Sequence, residues 1–343
     1  MLHLAEVVDT VVRDLAKSKD ASHYWLGVDG GGTNTRAKIY FAPLDPDLEL
    51  ENYLVGEGRS DAANFHRVGL ESAAASVKSA ITEACLKAGI STAQIAGTCI
   101  GLAGVSHPDN HKKMYDAIKA AMPQLEFELV TDARVALAGA TAGKPGVVVI
   151  AGTGSIAYGV DEHGEVARAG GWGPALGDEG SGTYIGRRAL EAVMTAYDHR
   201  THEDTKLTEK VCRHFHVNSP IELPTVIYDP ASNAMQEIAQ LSKQVVEAAH
   251  EGDETAIAIL KNAAHELARA VIAVIEQLKM KDQAFRVGYV GGVFSSGEIM
   301  LAPLREEITE FAPKALVGVP LHSPMIGAAQ MAMANVMNSL SGK

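Results

Sequence analysis

The sequence predicts an α/β protein made of two related domains with a ligand cleft between them. Three observations carry that reading. A strand–glycine turn–strand unit, "GVDGGGTNTRAKIY" from Gly27 to Tyr40, returns as "VVVIAGTGSIAYGV" from Val147 to Val160. Short apolar runs alternate with longer amphipathic ones, as strands alternate with helices in such folds. The chain has 343 residues, 47% hydrophobic and 21% charged, enough for two packed cores.

The elements follow in order. In "MLHLAEVVDTVVRDLAKSKD", Leu4, Val7, Val8, Val11, Val12 and Leu15 share one face, which predicts an amphipathic helix over residues 1–22. Acidic residues in its apolar part, and no small-residue cleavage site, argue against a signal peptide. The first domain, residues 23–131, starts with an apolar strand from Tyr24 into the glycine turn. The segment Arg36 to Ala42 alternates by two as a strand, and Tyr53 to Val55 gives a third. A helix over Asn64 to Ala88, a strand Ile95 to Gly101, a helix His107 to Ala121 and a strand Phe127 to Val130 complete it.

A hinge near Thr131 leads to the second domain, residues 132–343. A short helix precedes the strand Val147 to Ile150, the second glycine turn and the strand Ile156 to Val160. "DEHGE" is a tight turn into a further strand. Helices are expected over Thr183 to Tyr197, Ala234 to Ala249 and Glu254 to Leu278, then a strand Arg286 to Val290 ending in "GGVFSSG". A last helix, residues 324–339, closes the chain and is available to pack back on the first domain.

The net charge of −12 argues against nucleic acid or an anionic membrane as partner. A phosphate ligand would have to be held by backbone N–H groups, a metal and local cations. Cys85, Cys99 and Cys212 are odd in number and widely spaced, which points to buried reduced thiols in the cytoplasm rather than disulfides or a zinc site. No apolar run reaches the ~20 residues of a membrane span.

Three nucleotide readings compete for the glycines. A Walker A loop is absent, because the Gly143-Lys144 pair is followed by Pro145. "GTGSIA", Gly152 to Ala157, fits a dinucleotide fingerprint, but a strand and hairpin follow where a helix N-terminus should meet the pyrophosphate. The third reading explains both motifs: two glycine hairpins, one per domain, clamp the phosphates of ATP through bare N–H groups. Two tight turns without a ligand would account for either motif alone, but less well for the repeat.

Five stretches, "GVDGGGTNTRAKIY", "VTDARVALAGA", "VVVIAGTGSIAYGV", "GGWGPALGDEGSG" and "VGYVGGVFSSG", resemble in this order the sugar kinase/Hsp70/actin superfold, whose domains are ribonuclease H-like. More narrowly the chain is similar to the N-acetylglucosamine kinase branch of the BadF/BadG/BcrA/BcrD ATPase family, over about residues 23–335. "GGWG…GDEGS" is the most specific of the five. The resemblance implies an ATP-dependent kinase acting on the 6-hydroxyl of an amino sugar, with Mg²⁺.

Phosphoryl transfer needs neutralised phosphate charge, an aligned alcohol and a base for its proton. On the ATP side stand Gly30, Gly31, Gly32, Thr33 and Asn34 of the first turn and Gly152, Thr153, Gly154 and Ser155 of the second, with Gly291 and Gly292 beside the adenosine. Asp29, at the strand end, would hold Mg²⁺ through water; its plain alternative is a turn-capping carboxylate. Asp132 closes an apolar strand and opens a helix, where a carboxylate is either a base or an N-cap. The resemblance assigns it the base. It also gives Trp172 and Asp178 to the sugar, and Asn64 with them. Gly173 and Glu179 belong to the same loop, and Glu179 has helix capping as its alternative role.

Free glucosamine, N-acetylmannosamine and N-acetylmuramic acid remain alternatives to N-acetylglucosamine. A different class, the ATPase activator of a radical 2-hydroxyacyl-CoA dehydratase, would hold an iron–sulfur cluster on cysteines of two subunits. A non-catalytic sugar sensor would want a DNA-binding segment, and none is evident. The expected assembly is a cytoplasmic homodimer.

Overall fold

The computed structural model describes residues 22–45, 47–201 and 205–340. The amphipathic helix expected over residues 1–22 lies outside them, apart from its last residue. The chain divides into two compact units. One runs up to Lys144 and resumes at Pro320, and the other is Pro145–Val319.

In the first unit β1 (His23–Gly30), β2 (Asn34–Ala42), β3 (Leu54–Asp61), β4 (Ile95–Leu102) and β5 (Glu128–Thr131) form one sheet in the order β3-β2-β1-β4-β5. β1 to β3 are antiparallel neighbours, while β4 pairs parallel with both β1 and β5. Strand β3 is longer than the expected Tyr53 to Val55, because Gly56 and Gly58 continue it beneath a helix. A methyl group at Gly58 would lie 1.9 Å from the Ala80 carbonyl oxygen, so only bare backbone fits there. The helix expected over Asn64 to Ala88 is broken at Gly69, whose φ of 83° separates α1 (Phe65–Val68) from α2 (Leu70–Ala88).

The helix α3 is Pro108–Ala121 and α4 is Asp132–Thr141. Leu26, Val28, Ile39, Val77, Ile81 and Ile100 form the core on the α2 side of the sheet. On the other side Trp25 and Tyr40 pack against the last helix of the chain. That helix, Pro324–Leu340, therefore belongs to the first unit.

The second unit repeats the plan. β6 (Gly146–Ala151), β7 (Ser155–Val160), β8 (Val166–Gly170), β9 (Phe285–Val290) and β10 (Ala315–Gly318) are ordered β10-β9-β6-β7-β8. Read from the edge, β8-β7-β6-β9-β10 matches β3-β2-β1-β4-β5, with the same pattern of antiparallel and parallel pairs. The helices are α5 (Gly182–Tyr197), α6 (Leu207–His214), α7 (Leu223–Ile227), α8 (Ala234–Gln240), α9 (Ser242–His250), α10 (Glu254–Gln277) and α11 (Glu298–Phe311), and α12 is Pro324–Leu340. The helix expected over Ala234 to Ala249 is interrupted at Leu241. The sequence reading did not resolve β10, α7 or α11.

The units meet along the chain at Lys144–Pro145, not near Thr131. The helix α4 accounts for the difference: it packs on β4 and so tightly on α12 that a methyl at Gly327 would lie 2.2 Å from the Gly139 nitrogen.

Candidate active site

In the first unit the parallel strands end together. Asp29 pairs in register with Gly101, and Gly101 with Val130; Leu102 pairs with Thr131. The Gly30 carbonyl accepts a bond from the Ala103 amide at 2.9 Å. Asp29, Gly30, Ala103 and Asp132 therefore line the carboxyl ends of β1, β4 and β5, where α/β sheets hold their ligands.

The first glycine turn is shaped by what its carbonyls touch. The Gly31 oxygen accepts from the amides of Ala63 and Asn64 at 3.1 and 3.2 Å, and the Gly32 oxygen accepts from Arg67 Nη1 at 2.6 Å. In a trans peptide the N–H points opposite to the C=O. The amides of Gly32 and Thr33 are thus turned away from the 63–67 segment, and neither makes a hydrogen bond among the described residues. Two neighbouring N–H groups aimed outward make an anion-binding concavity. The side chains of Thr33 and Asn34 are exposed beside them.

Asp29 senses the charge of Asp132. Burial, then the Asp132 charge, pushes the Asp29 carboxyl up to about 7, against a smaller opposing pull from Arg36. Burial also raises Asp132, opposed by the Ala133 amide, which donates to its Oδ1 at 2.9 Å. Thr131, not Asp132, caps α4, accepting from the Arg134 amide at 3.2 Å. That leaves Asp132 free of the N-cap role. Among the described residues no group of three or more metal-ligating side chains occurs. A lone carboxylate such as Asp29 fits Mg²⁺, which keeps much of its water shell and takes phosphate oxygens as further ligands.

Asn64 caps α1, its Oδ1 accepting from the His66 amide at 3.2 Å. Next to it His66 Nε2 lies 3.2 Å from Asn110 Nδ2, and Asn110 reaches the Gly104 carbonyl at 3.5 Å. Sequence reasoning missed His66, Arg67 and Asn110. Nothing in their spacing marks them, because the fold brings them together from two different helices, α1 and α3.

In the second unit the turn repeats the device. The Gly152 oxygen accepts from the Gly182 amide at 2.8 Å. The Thr153 oxygen accepts from the Thr183 amide at 3.2 Å and from Thr183 Oγ1 at 2.7 Å. The amides of Thr153 and Gly154 are thereby turned outward. Ser155 is buried, and its hydroxyl donates to the Glu179 carbonyl at 2.6 Å, so its side chain braces the turn. Gly291 follows β9 with φ 124°, and a methyl there would lie 2.1 Å from the Ala151 oxygen. Gly292 has open space around it.

The loop from Gly171 to Ser181 leaves Trp172 61% exposed, with the Arg168 guanidinium 4.1 Å over its ring. Gly173 sits at φ 86° and Asp178 at φ 64°. The Asp178 carboxylate is buried and turned inward: its Oδ1 accepts from the Ser155 amide at 3.5 Å, and a methyl at Gly154 would meet its Oδ2 at 2.7 Å. Burial raises this carboxyl while amide bonds from Ser155 and Gly173 hold it down. Glu179 points its side chain to solvent, and Ser181 caps α5, accepting from the Tyr184 amide at 3.1 Å. Glu179 is therefore not the cap of that helix.

Cys85, Cys99 and Cys212 are buried in α2, β4 and α6. Burial raises all three thiols, the opposite of a ligating or reactive cysteine. No described helix is long and apolar enough to cross a membrane.

Residues 26–332 match the BadF/BadG/BcrA/BcrD ATPase family. An N-acetylmuramic acid/N-acetylglucosamine kinase from Clostridium acetobutylicum is 34% identical over 294 residues, 86% of this chain and 93% of that protein. An N-acetyl-D-glucosamine kinase from Dictyostelium discoideum is 30% identical over 319 residues, 90% and 97% of the two chains. A solved Chromobacterium violaceum protein, described as a candidate N-acetylglucosamine kinase, superposes with TM-score 0.70 at 26% identity, covering 91% of this chain and 99% of its own.

Proposed function

Since the chain belongs to the BadF/BadG/BcrA/BcrD ATPase family, we propose that it is an amino-sugar kinase that moves the γ-phosphoryl group of ATP to the 6-hydroxyl of N-acetylglucosamine. The observation that carries this reading is the carboxylate pair at the strand ends: Asp132, freed from capping by Thr131, lies close enough to Asp29 to shift its titration. Free glucosamine is the nearest alternative substrate, as a glucosamine kinase from Vibrio cholerae is 31% identical over 253 residues, 74% of this chain and 80% of that protein.

Each residue then has a task. Asp132 accepts the proton of the sugar hydroxyl as its oxygen bonds to the γ-phosphorus and the bond from that phosphorus to the departing ADP breaks, which needs an approach of about 2.6–3.2 Å. The amides of Gly32, Thr33, Thr153 and Gly154 hold phosphate oxygens, with Gly30, Gly31, Gly152 and Ser155 shaping the turns and Thr33 and Asn34 adding side-chain donors. Asp29 would hold Mg²⁺, through water, and the ion would supply neutralisation of the phosphate charge. Gly291 and Gly292 leave room for the adenosine. Trp172 forms a platform for the sugar, Asn64 a donor to its ring, and Asp178, Glu179 and Gly173 complete that side. Asp178 must leave its inward bonds or act through the loop it braces.

A cytoplasmic homodimer completes the reading, supported by buried reduced thiols and the apolar stripe of residues 4–15. The experiment is a coupled ADP-release assay with ATP and Mg²⁺ against N-acetylglucosamine, glucosamine, N-acetylmannosamine and glucose. Turnover with an amino sugar supports the kinase. Slow ADP release indifferent to every sugar overturns it.

A further inference from the structure

The two glycine turns hold their outward amides by different means. In the second unit both carbonyls are fixed by α5: the Gly182 and Thr183 amides and the Thr183 hydroxyl all belong to its buried first residues. In the first unit only one carbonyl, that of Gly31, is held by backbone amides. The other, that of Gly32, is held by Arg67, an exposed side chain on a helix of four residues. The orientation of the Gly32–Thr33 peptide, and so of the Thr33 N–H, therefore depends on one guanidinium.

Arg67 does not stand alone. It shares its short helix with His66, and that helix is capped by Asn64, the residue assigned to the sugar. His66 is in turn joined to Asn110 on α3. A displacement of Asn64 or His66 by a ligand is transmitted to Arg67 within the single turn of α1, and from Arg67 to the phosphate cradle through one 2.6 Å bond. A cation on the carbonyl also strengthens the amide on the far side of the same peptide as a donor.

We infer that Arg67 is a positioning residue that couples the two substrates: occupation of the Asn64 segment by the sugar fixes Arg67 on the Gly32 carbonyl and so orients the Thr33 N–H for the phosphates of ATP. The inference rests on the kinase reading. It assigns to Arg67 the suppression of futile ATP hydrolysis, since the cradle is complete only when the acceptor sugar is present.

The test is nucleotide binding by calorimetry, with a non-hydrolysable ATP analogue, Mg²⁺ and the full chain, with and without saturating N-acetylglucosamine. The wild type should bind the analogue about five- to tenfold tighter with sugar present, within the usual range of coupling between sites. In Arg67→Gln that ratio should fall to about one, so that analogue binding with sugar present and sugar binding with analogue present each weaken about five- to tenfold, while sugar binding without nucleotide moves less than threefold. Arg67→Lys, which keeps a charged donor, should recover part of the coupling, a rescue that a purely structural role would not produce. Melting temperatures of all three proteins serve as the folding control. If the wild type turns over sugar but shows no coupling, or if Arg67→Gln keeps it, the inference is overturned and the kinase stands. If no amino sugar stimulates ADP release from the wild type, the kinase reading falls and the inference with it.

Discussion

At the scale of the residue, the proposed mechanism divides its work between two carboxylates with different surroundings. Asp132 is held by the Ala133 amide on its Oδ1, which suits a base that must keep its orientation. Asp132→Asn removes the proton acceptor but retains shape and hydrogen bonding. Sugar affinity should therefore change little, and kcat should fall by about 100- to 10,000-fold. Unchanged turnover would remove Asp132 as the base. Asp29 carries the cost of the arrangement. Its carboxyl titrates near 7 in the folded protein, against about 3.9 in an unfolded chain. Between those values the folded state binds the extra proton, so the metal-free protein loses stability as pH rises from about 4 through 7, and the loss is complete above that. Asp29→Asn should remove this dependence. Without Mg²⁺ its Tm should exceed the wild type's by a few degrees at pH 8, the gap closing towards pH 4. A wild-type Tm indifferent to pH across this window would contradict the assignment.

At the scale of the element, glycines of equal prominence in the sequence do unequal jobs. Gly58 lies under α2, where an added methyl would meet the Ala80 oxygen at 1.9 Å and the Ala84 nitrogen at 2.8 Å. Helix and strand would have to part, so Gly58→Ala should destabilise the protein by about 3 kcal/mol or more. Gly31 has nothing within 4 Å of that position and no left-handed φ. Gly31→Ala should keep its Tm within about 2 °C yet weaken ATP binding, because the methyl would crowd the anion cradle. Denaturant melts and nucleotide titrations of the two variants separate the roles; equal losses of stability would refute the distinction. The same contrast explains what was legible in the sequence. The strand–turn–strand repeat and the Asp132 junction were readable because each lies within one contiguous stretch. The continuation of β3 through Gly56 and Gly58 was not, since those glycines make room for helix residues more than twenty positions away, Ala80 and Ala84. Nor was the break at Gly69, because α1 is too short to carry a period. Arg67 was invisible for a third reason: its partner is a carbonyl, and backbone atoms leave no signature in composition.

At the scale of the whole molecule, the duplicated five-stranded plan gives each unit one glycine turn with outward amides, built by the same geometry on different scaffolds. That duplication has an electrostatic consequence. The chain carries 42 acidic against 30 basic residues, a net charge of −12, and its proposed co-substrate is a polyanion. Amide dipoles act only at contact, whereas the net charge acts over a Debye length, about 10 Å at 0.1 M salt. At low ionic strength the protein as a whole should therefore repel MgATP, although the proposed cradle would bind it at close range. Raising KCl from about 20 to 200 mM should screen that repulsion and lower the KM for MgATP roughly twofold, with kcat and the KM for the neutral sugar unchanged. The opposite trend, a KM for MgATP that climbs with salt, would mean that local cations such as Arg67 govern the approach of the nucleotide and that the net charge is not what it meets.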